Sequence, residues 1–182
     1  MIISTSRLSN QDNALSLLEN QLNMEKPLKF NSHNKEEFPP MHTTEHIVNR
    51  TMINLFNCGR SVEAHIERKK SKLDFALKEK PTDAQIQQIE DRVNEVIGRN
   101  LPVTMEYVTQ EKAVSRFNME RLPENASENV RVVHIGDYDE CLCIGKHVEN
   151  TSEIGIFKII SYSYENGILR LRFKLLTKEQ AK

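Results

Sequence analysis

The chain has 182 residues, with 25 basic and 26 acidic side chains and a formal net charge of -1. This length favours one domain with a hydrophobic core, alone or with a small appendage, over a large multidomain enzyme. No apolar run approaches the roughly 20 residues that a membrane span requires, and the N-terminus lacks the long apolar region of a secretory signal. We therefore expect a cytoplasmic protein that has no membrane partner.

The three cysteines are too few and too irregular for a disulfide framework. Cys58, Cys141 and Cys143 form an odd set without regular spacing, which favours reduced thiols. Metal ligation is then the first use to test for them. The near-neutral charge also means that any contact with RNA depends on local basic patches rather than on the overall charge.

The N-terminal part of the chain differs in pattern from the rest. Leucines at helical spacing predict a short amphipathic helix within residues 7–23. The following stretch, KPLKFNSHNKEEFPP, carries charges and prolines without periodicity and predicts a connector. We therefore divide the chain into an N-terminal helix and connector, residues 1–38, and a main domain, residues 39–182.

Two long helices are predicted in the main domain. The first starts at Pro39, because proline suits the first helical turn, and its apolar positions keep helical spacing until Gly59 supplies a stop. The second starts after Thr82 and Gln85, which form a capping box, and ends near Gly98.

The remaining segments are mostly strands. Alternating apolar residues predict strands at 62–66, 73–77, 103–107, 130–135, 154–163 and 168–175, with a short helix at 110–117. The dipeptide formed by Asn166 and Gly167 favours a tight hairpin between the last two strands. Hairpins in place of strict βα alternation predict an α+β fold, in which an antiparallel sheet packs against the two long helices.

Four potential metal ligands occur as two pairs. His42 and His46 lie one helical turn apart, so both imidazoles can face one ion. Cys143 and His147 follow a predicted strand, and Gly145 between them allows the chain to curl. One thiolate with three imidazoles makes a suitable tetrahedral zinc site, so the two pairs together predict zinc binding.

The other cysteines and histidines have weaker cases. In an extended segment Cys141 points the same way as Cys143, so it either replaces Cys143 as a ligand or sits behind it. We expect Cys58 to be a buried core thiol. No ligand role is expected for the other three histidines, His33, His65 and His134.

A series of longer motifs surrounds these pairs. The chain contains, in this order, HTTEH, IGRNLPV, VRVVHIGD, CIGKHV and NTSEIGIFKI. Over about residues 40–175 it resembles the editing domain of alanyl-tRNA synthetases and their freestanding AlaX relatives. The related editing domain of threonyl-tRNA synthetases shares both histidine motifs and is the nearest alternative assignment.

The resemblance implies a role for each metal-binding pair. His42, His46, Cys143 and His147 match the zinc residues of that family, and the pocket they line receives the aminoacylated 3′ end of a tRNA. The implied activity is removal of wrongly attached serine or glycine from alanine tRNA, in trans, with tRNA rather than DNA as the partner. The alternatives are editing of Ser-tRNA(Thr) and a non-catalytic tRNA-binding module whose zinc is structural.

The chain departs from the family pattern at its second metal-binding pair. The usual C-G-G-T-H is here C-I-G-K-H, with Ile144 in place of a glycine and Lys146 in place of a threonine. This difference leaves the substrate preference open. Residues 1–58 also lack the glycine-rich motif of longer relatives, so the chain resembles the short subclass.

Catalysis needs more than the four ligands. Four protein ligands close a tetrahedral zinc site, whereas catalytic zinc keeps a position open. Our hypothesis is that water or substrate enters as a fifth ligand or displaces one protein ligand, and that the metal orients the amino acid. Glu45 either acts as a general base for water or faces solvent. HTTEH also matches the H-x-x-E-H pattern of inverted zinc proteases, an assignment that the pair Cys143 and His147 disfavours.

Candidate tRNA contacts come from basic residues on three segments. Lys146 lies in the metal-binding motif. The predicted hairpin tip carries Arg68, Lys69, Lys70 and Lys72, and the last strand carries Arg170, Arg172 and Lys174 on one face. The alternative for each of them is a solvated surface position.

Overall fold

The computed structural model describes residues 37–117, 128–177 and 179–180. The predicted N-terminal helix and most of the predicted connector lie outside the described residues. In chain order the elements are α1 (Pro39–Phe56), β1 (Glu63–His65), β2 (Ser71–Ala76), α2 (Asp83–Gly98), β3 (Val103–Thr109), α3 (Gln110–Val114), β4 (Asn129–Ile135), β5 (Asp139–Leu142), a 3-10 turn (Thr151–Glu153), β6 (Ile156–Glu165) and β7 (Ile168–Leu176).

The strands form two antiparallel sheets. Four strands follow the order β1-β2-β7-β6, and three follow the order β3-β4-β5. The α+β class predicted from the sequence is confirmed, although the strands divide between two sheets rather than forming one. β5 was not predicted, because its four residues, DECL, carry no apolar alternation.

Local sequence signals set the helix ends. The capping box of α2 forms as predicted: the Gln85 N–H donates to Thr82 Oγ1 at 3.2 Å, and the Thr82 N–H donates to Gln85 Oε1 at 2.9 Å. The predicted stop of α1 at Gly59 is wrong. Asn57 ends α1 in the left-handed region at φ 50°, a conformation that asparagine tolerates. None of the helices in the described ranges is long and apolar enough to cross a membrane.

The hydrophobic core lies on the inner face of the four-stranded sheet. Full burial of one large apolar side chain stabilises the fold by roughly 1.5–3 kcal/mol. The fully buried members include Leu73 and Phe75 of β2, Leu169, Leu171 and Phe173 of β7, Ile47 and Met52 of α1, and Ile89 and Val93 of α2. The first predicted strand, 62–66, contributes little: Val62 is 57% exposed, because β1 is the edge strand of the sheet.

The final hairpin turns where the sequence predicts. Asn166 has φ 51° and Gly167 has φ 79°, and β6 and β7 pair on either side of them. Positive φ at both central residues is the geometry of a type I′ turn, which matches the twist of the strands.

Side chains of α2 protect the outer edge of β6. Asn94 Nδ2 donates to the Phe157 carbonyl at 2.9 Å, and Asn94 Oδ1 accepts from the Phe157 N–H at 2.9 Å. Glu90 Oε2 accepts from the Ile159 N–H at 2.8 Å. These contacts satisfy backbone groups that an edge strand otherwise leaves unpaired.

Asn94→Ala should destabilise the fold through this edge. The substitution leaves the N–H and carbonyl of buried Phe157 without their partner, which costs about 1–3 kcal/mol. Gln87→Ala on the exposed face of α2 is the control, with an expected change within about 0.5 kcal/mol. Urea unfolding measures the free energy of unfolding of each variant. Equal values for the two variants would contradict the stabilising role of Asn94 at the edge of β6.

Candidate metal centre

Two distant segments meet at one cluster of side chains that could hold a metal ion. The first turns of α1 carry His42 and His46, and the loop that follows β5 carries Cys143 and His147. One potential ligand atom from each of the four residues lies within 4.8 Å of the others. The structure therefore brings both predicted pairs into one site, which we call the four-residue cluster.

The sulfur of Cys143 occupies a central place in this cluster. Its Sγ lies 3.3 Å from His42 Nε2 and 3.4 Å from His147 Nε2. The imidazole centroids of His42 and His147 are 4.4 Å apart, and those of His46 and His147 are 4.7 Å apart. Three imidazoles and one sulfur at these separations match the donor set of a zinc site.

Burial keeps the imidazoles neutral. Burial lowers the pKa of His147 to about 3, with a further contribution from His42. Burial also lowers the pKa of His42 and holds that of His46 well below its usual value. Neutral imidazole is the form that binds a metal. Burial raises the pKa of the Cys143 thiol, and a bound cation would offset that effect by stabilising the thiolate.

Gly145 makes the close approach of the 143–147 loop to α1 possible. A Cβ at this position would overlap the imidazole ring of His42. The glycine that this contact requires is therefore retained in the C-I-G-K-H motif. Ile144 stands where the family has its other glycine, and its side chain is 62% exposed, so the cluster accommodates it.

Thr43 fixes the orientation of the His147 ring through its Nδ1 atom. Thr43 Oγ1 lies 3.1 Å from His147 Nδ1 and accepts from the Val148 N–H at 3.2 Å. When Nδ1 carries the proton and donates to Thr43, Nε2 is left unprotonated on the side of Cys143. Such hydrogen bonds fix the tautomer and direction of a metal-binding histidine.

Two charged residues hold the backbone of the 143–147 loop. Arg131 of β4 donates from Nε to the Cys143 carbonyl at 2.7 Å and from a terminal nitrogen to the Gly145 carbonyl. Glu37 Oε2 accepts from the Lys146 N–H at 3.1 Å. The loop is thereby fixed by Arg131 of β4 on one side and by Glu37, two residues before α1, on the other.

Cys141 lies behind His46 and outside the four-residue cluster. Its Sγ is 2.8 Å from His46 Nδ1, and Asp139 Oδ2 is 4.0 Å from the same nitrogen. This buried carboxylate oxygen has no hydrogen-bond partner within the described ranges. His46, Asp139 and Cys141 also form a grouping that could hold a metal ion. The two groupings share His46 and differ in their cysteine, so substitution of each cysteine decides which one is the metal ligand.

Glu45 points toward the cluster. Its Oε2 lies 3.5 Å from His46 Nε2, and its Oε1 accepts from Asn49 Nδ2 at 2.6 Å. The side chain is 17% exposed. Glu45 is therefore mostly buried, and its general-base role stays a prediction. Buried Asn49 also accepts from the Ser61 N–H at 2.6 Å, which ties this carboxylate to the loop after α1.

His65, His134 and Cys58 lie outside the four-residue cluster. His65 Nε2 contacts Glu67 at 2.9 Å, and His134 Nε2 contacts Glu106 at 3.1 Å, so both serve surface pairs. His33 lies outside the described residues. Cys58 is half-buried rather than fully buried as expected.

The predicted RNA contacts occupy two neighbouring surfaces. Arg68, Lys69 and Lys70 are exposed at the hairpin tip, where the Arg68 guanidinium lies 4.6 Å from the Phe38 ring centroid. Lys146 is exposed on the 143–147 loop.

The second surface is the outer face of the four-stranded sheet. Lys72 and Arg172 are register partners on it, and Lys174 lies two residues further along β7. Arg170 donates to Asp74 at 2.6 and 2.8 Å, and this bond holds the pKa of Asp74 below its usual value. The Arg170 side chain therefore has a structural partner already.

Comparisons with known proteins identify the family. Residues 130–171 match the model of the threonyl and alanyl tRNA synthetase second additional domain. The chain is 37% identical over 123 residues to alanine–tRNA ligase from Fervidobacterium nodosum, a match covering 67% of this chain and 14% of that protein. It is 36% identical over 137 residues to alanine–tRNA ligase from a Thermoanaerobacter species, covering 75% and 16%. For the Streptococcus mutans enzyme the identity is 38% over 128 residues, covering 70% and 14%.

The chain belongs to the family of the threonyl and alanyl tRNA synthetase second additional domain. Within that family its named relatives are alanine–tRNA ligases, which confirms the resemblance seen in the motifs. The chain spans about one seventh of the length of these relatives.

Sequence reasoning missed the residues that support the cluster. Thr43, Arg131, Glu37 and Asn49 carry no motif of their own, because their roles depend on contacts across the fold. One signal was available: Arg131 is a charged residue within the predicted strand VRVVHI, whose other residues except His134 are apolar.

Gly145→Ala should disrupt metal binding without unfolding the chain. The new methyl group displaces His42 from Cys143, and misplacement of one ligand should lower zinc affinity by about tenfold or more. Gly59→Ala is the matched control, because a Cβ there meets no atom within 4 Å. Competition with a chromophoric zinc chelator measures both affinities, and wild-type affinity in Gly145→Ala would contradict the contact.

Serine substitution of each cysteine distinguishes the two groupings. Cys143→Ser should abolish the sulfur-to-metal absorption of the cobalt-loaded protein. Cys141→Ser should keep that absorption and lower affinity by no more than about 100-fold, as expected for a residue that orients a ligand. Cys58→Ser is the control. Loss of the absorption in Cys141→Ser with retention in Cys143→Ser would reverse the assignment.

Proposed function

We propose that the chain hydrolyses the ester bond of mischarged tRNA, with serine or glycine on alanine tRNA as the expected substrates. The observation that carries this proposal is the four-residue cluster with Glu45 beside it, in a chain of the alanyl tRNA synthetase second additional domain family. Editing of Ser-tRNA(Thr) is the nearest alternative, since the family model covers threonyl enzymes as well.

Zinc is the metal that this donor set fits. His42, His46, Cys143 and His147 would hold it, and it would supply positive charge for orienting the aminoacyl group and for the developing oxyanion. The chain's own residues fix the positions of these ligands: Thr43 orients His147 and Arg131 holds the loop, as described above.

Glu45 is the proposed general base. Asn49 holds Oε1, so Oε2 is directed toward His46 and the cluster. In this role Oε2 accepts a proton from water as the water oxygen bonds to the ester carbonyl carbon. The bond from that carbon to the ribose oxygen then breaks, and the proton passes from Glu45 to the ribose oxygen. The products are a free amino acid and a tRNA with an intact 3′ end.

The basic residues supply the proposed path for tRNA. Arg68 lies against Phe38, immediately before α1, so the hairpin tip adjoins the end of α1 that carries His42. Lys146 adjoins the same end through the contact between its N–H and Glu37. Lys72, Arg172 and Lys174 extend the basic surface onto the sheet. Phosphate contacts of this kind position an RNA without reading its sequence.

A second candidate function is a tRNA-binding module with structural zinc. The observation that favours it is the number of protein ligands, because four complete a tetrahedral site of the structural type. Under this function the chain binds tRNA but leaves the ester intact.

Deacylation assays test the proposal. The zinc-loaded 182-residue chain, added to preformed Ser-tRNA(Ala), Gly-tRNA(Ala) and Ser-tRNA(Thr), should release amino acid from at least one of them. Glu45→Gln should lower kcat by about 100-fold or more, the range of a lost general base. Zinc content, measured in parallel, should be unchanged in this variant.

The control for Glu45 is Glu111→Gln, at an exposed position of α3. It should retain wild-type turnover. Tight tRNA binding with no release of amino acid from any substrate would favour the binding module, and wild-type turnover in Glu45→Gln would exclude the general-base role.

A further inference from the structure

A row of three residues crosses the three-stranded sheet beside the metal cluster. Tyr107 of β3 is the register partner of Arg131 of β4. The Cys143 N–H donates to the Arg131 carbonyl at 3.2 Å, which extends the pairing of β4 and β5 by one residue. Residues directly opposite one another in neighbouring strands share a face. Tyr107, Arg131 and Cys143 therefore lie side by side on the face that α1 approaches.

The adjoining row on the same face is Met105, Val133 and Cys141. Its inner members are covered: Val133 is fully buried, and the Cys141 sulfur contacts His46 of α1. Within the described residues, the outer members are left exposed. Tyr107 is 70% exposed and Met105 is 47% exposed. We call Met105 and Tyr107 the β3 shelf.

The opposite face of this sheet is covered differently. Arg116, which follows α3, pairs with Glu106 at 3.3 Å and with Glu140 at 2.8 Å. Glu106 lies between Met105 and Tyr107 in β3, and Glu140 lies next to Cys141 in β5. Because successive residues of a strand point to opposite faces, both glutamates lie on the face opposite the shelf, and so does Arg116 after α3. The exposed ring of Tyr107 therefore lies on the cluster side of the sheet, opposite the Arg116 ion pairs.

The position of the shelf sets what it can contact. Two strand spacings separate the Tyr107 and Cys143 backbones, or roughly 10 Å. A single amino acid spans at most roughly 3.6 Å along its backbone, so an aminoacyl group held at the cluster lies closer to Cys143 than to the Tyr107 backbone. The nucleoside that carries the ester extends further from the cluster, along the row in which Arg131 stands between Cys143 and Tyr107.

We propose that the β3 shelf binds the terminal nucleobase of the tRNA 3′ end, with the base stacked on the Tyr107 ring and Met105 beside it. This inference rests on the proposed function, because it assigns the base of the nucleoside whose ester the cluster receives. Unpaired bases of single-stranded RNA stack on exposed aromatic side chains in a manner that depends little on sequence. Tyr107 is thereby a substrate-binding residue and takes no part in proton transfer.

A tryptophan reporter tests the contact directly, since the chain has no tryptophan of its own. In zinc-loaded Tyr107→Trp, an RNA minihelix ending in CCA should quench the indole fluorescence saturably. A minihelix that lacks the terminal adenosine should bind at least about fivefold more weakly, the lower end of the loss for one stacked base. Val114→Trp is the control, because Val114 is 63% exposed on α3. Equal quenching at both positions, or no dependence on the terminal adenosine, would overturn the proposal.

Kinetics supply the second readout. Tyr107→Ala should lower kcat/KM for the mischarged tRNA by at least about fivefold, whereas Tyr107→Phe should stay near the wild-type value because the ring is kept. The loss in Tyr107→Ala should be smaller for a simple serine ester that has no base than for the mischarged tRNA. An equal loss with both esters would overturn the stacking role.

The two proposals fail separately. If the wild-type chain releases no amino acid but the indole in Tyr107→Trp responds to the terminal adenosine, the hydrolase function fails and the shelf stands. If the wild-type chain is active, the indole does not respond and Tyr107→Ala retains full kcat/KM, the shelf fails and the hydrolase function stands.

Discussion

The contact between the first turns of α1 and the 143–147 loop is the interaction on which the site depends. It joins segments about one hundred residues apart in the chain, and it exists because Gly145 presents no side chain to the His42 ring. Cys143 and His147 face His42 and His46 only when the loop lies this close. Arg131 and Glu37 then hold the loop backbone in place, and these contacts support the positions of Cys143 and His147.

The ionisable groups around this contact leave the cluster itself with neutral imidazoles. Burial leaves the imidazoles neutral, and neutral rings can approach one another as closely as these do. Arg131 directs its guanidinium to backbone carbonyls, so its charge stabilises the loop instead of occupying the cluster. Behind His46, Arg50 and Arg60 both donate to Asp139 Oδ1, at 2.8 and 2.6 Å, which balances that buried carboxylate. In the proposed function Glu45 exchanges the proton, and its carboxylate lies 3.5 Å from His46 Nε2.

Short-range sequence signals predicted the elements that depend on neighbouring residues. The capping box at Thr82 and the turn at Asn166 and Gly167 form as expected, because each depends only on residues within the same short segment. Features that depend on distant contacts were missed or misread. Asn57 ends α1 before Gly59, β5 exists only through its pairing with β4, and no local pattern distinguishes the exposed Tyr107 from a buried strand residue. The metal-binding pairs were recognisable because ligand chemistry restricts residue type and spacing.

The coordination shell of the bound metal tests the central claim most directly. X-ray absorption at the zinc edge of the loaded wild-type chain should fit one sulfur at about 2.3 Å and three nitrogens at about 2.0–2.1 Å. The same shell should persist in Cys141→Ser. Two sulfur ligands, or a shell made of oxygens alone, would contradict a zinc site built from His42, His46, Cys143 and His147.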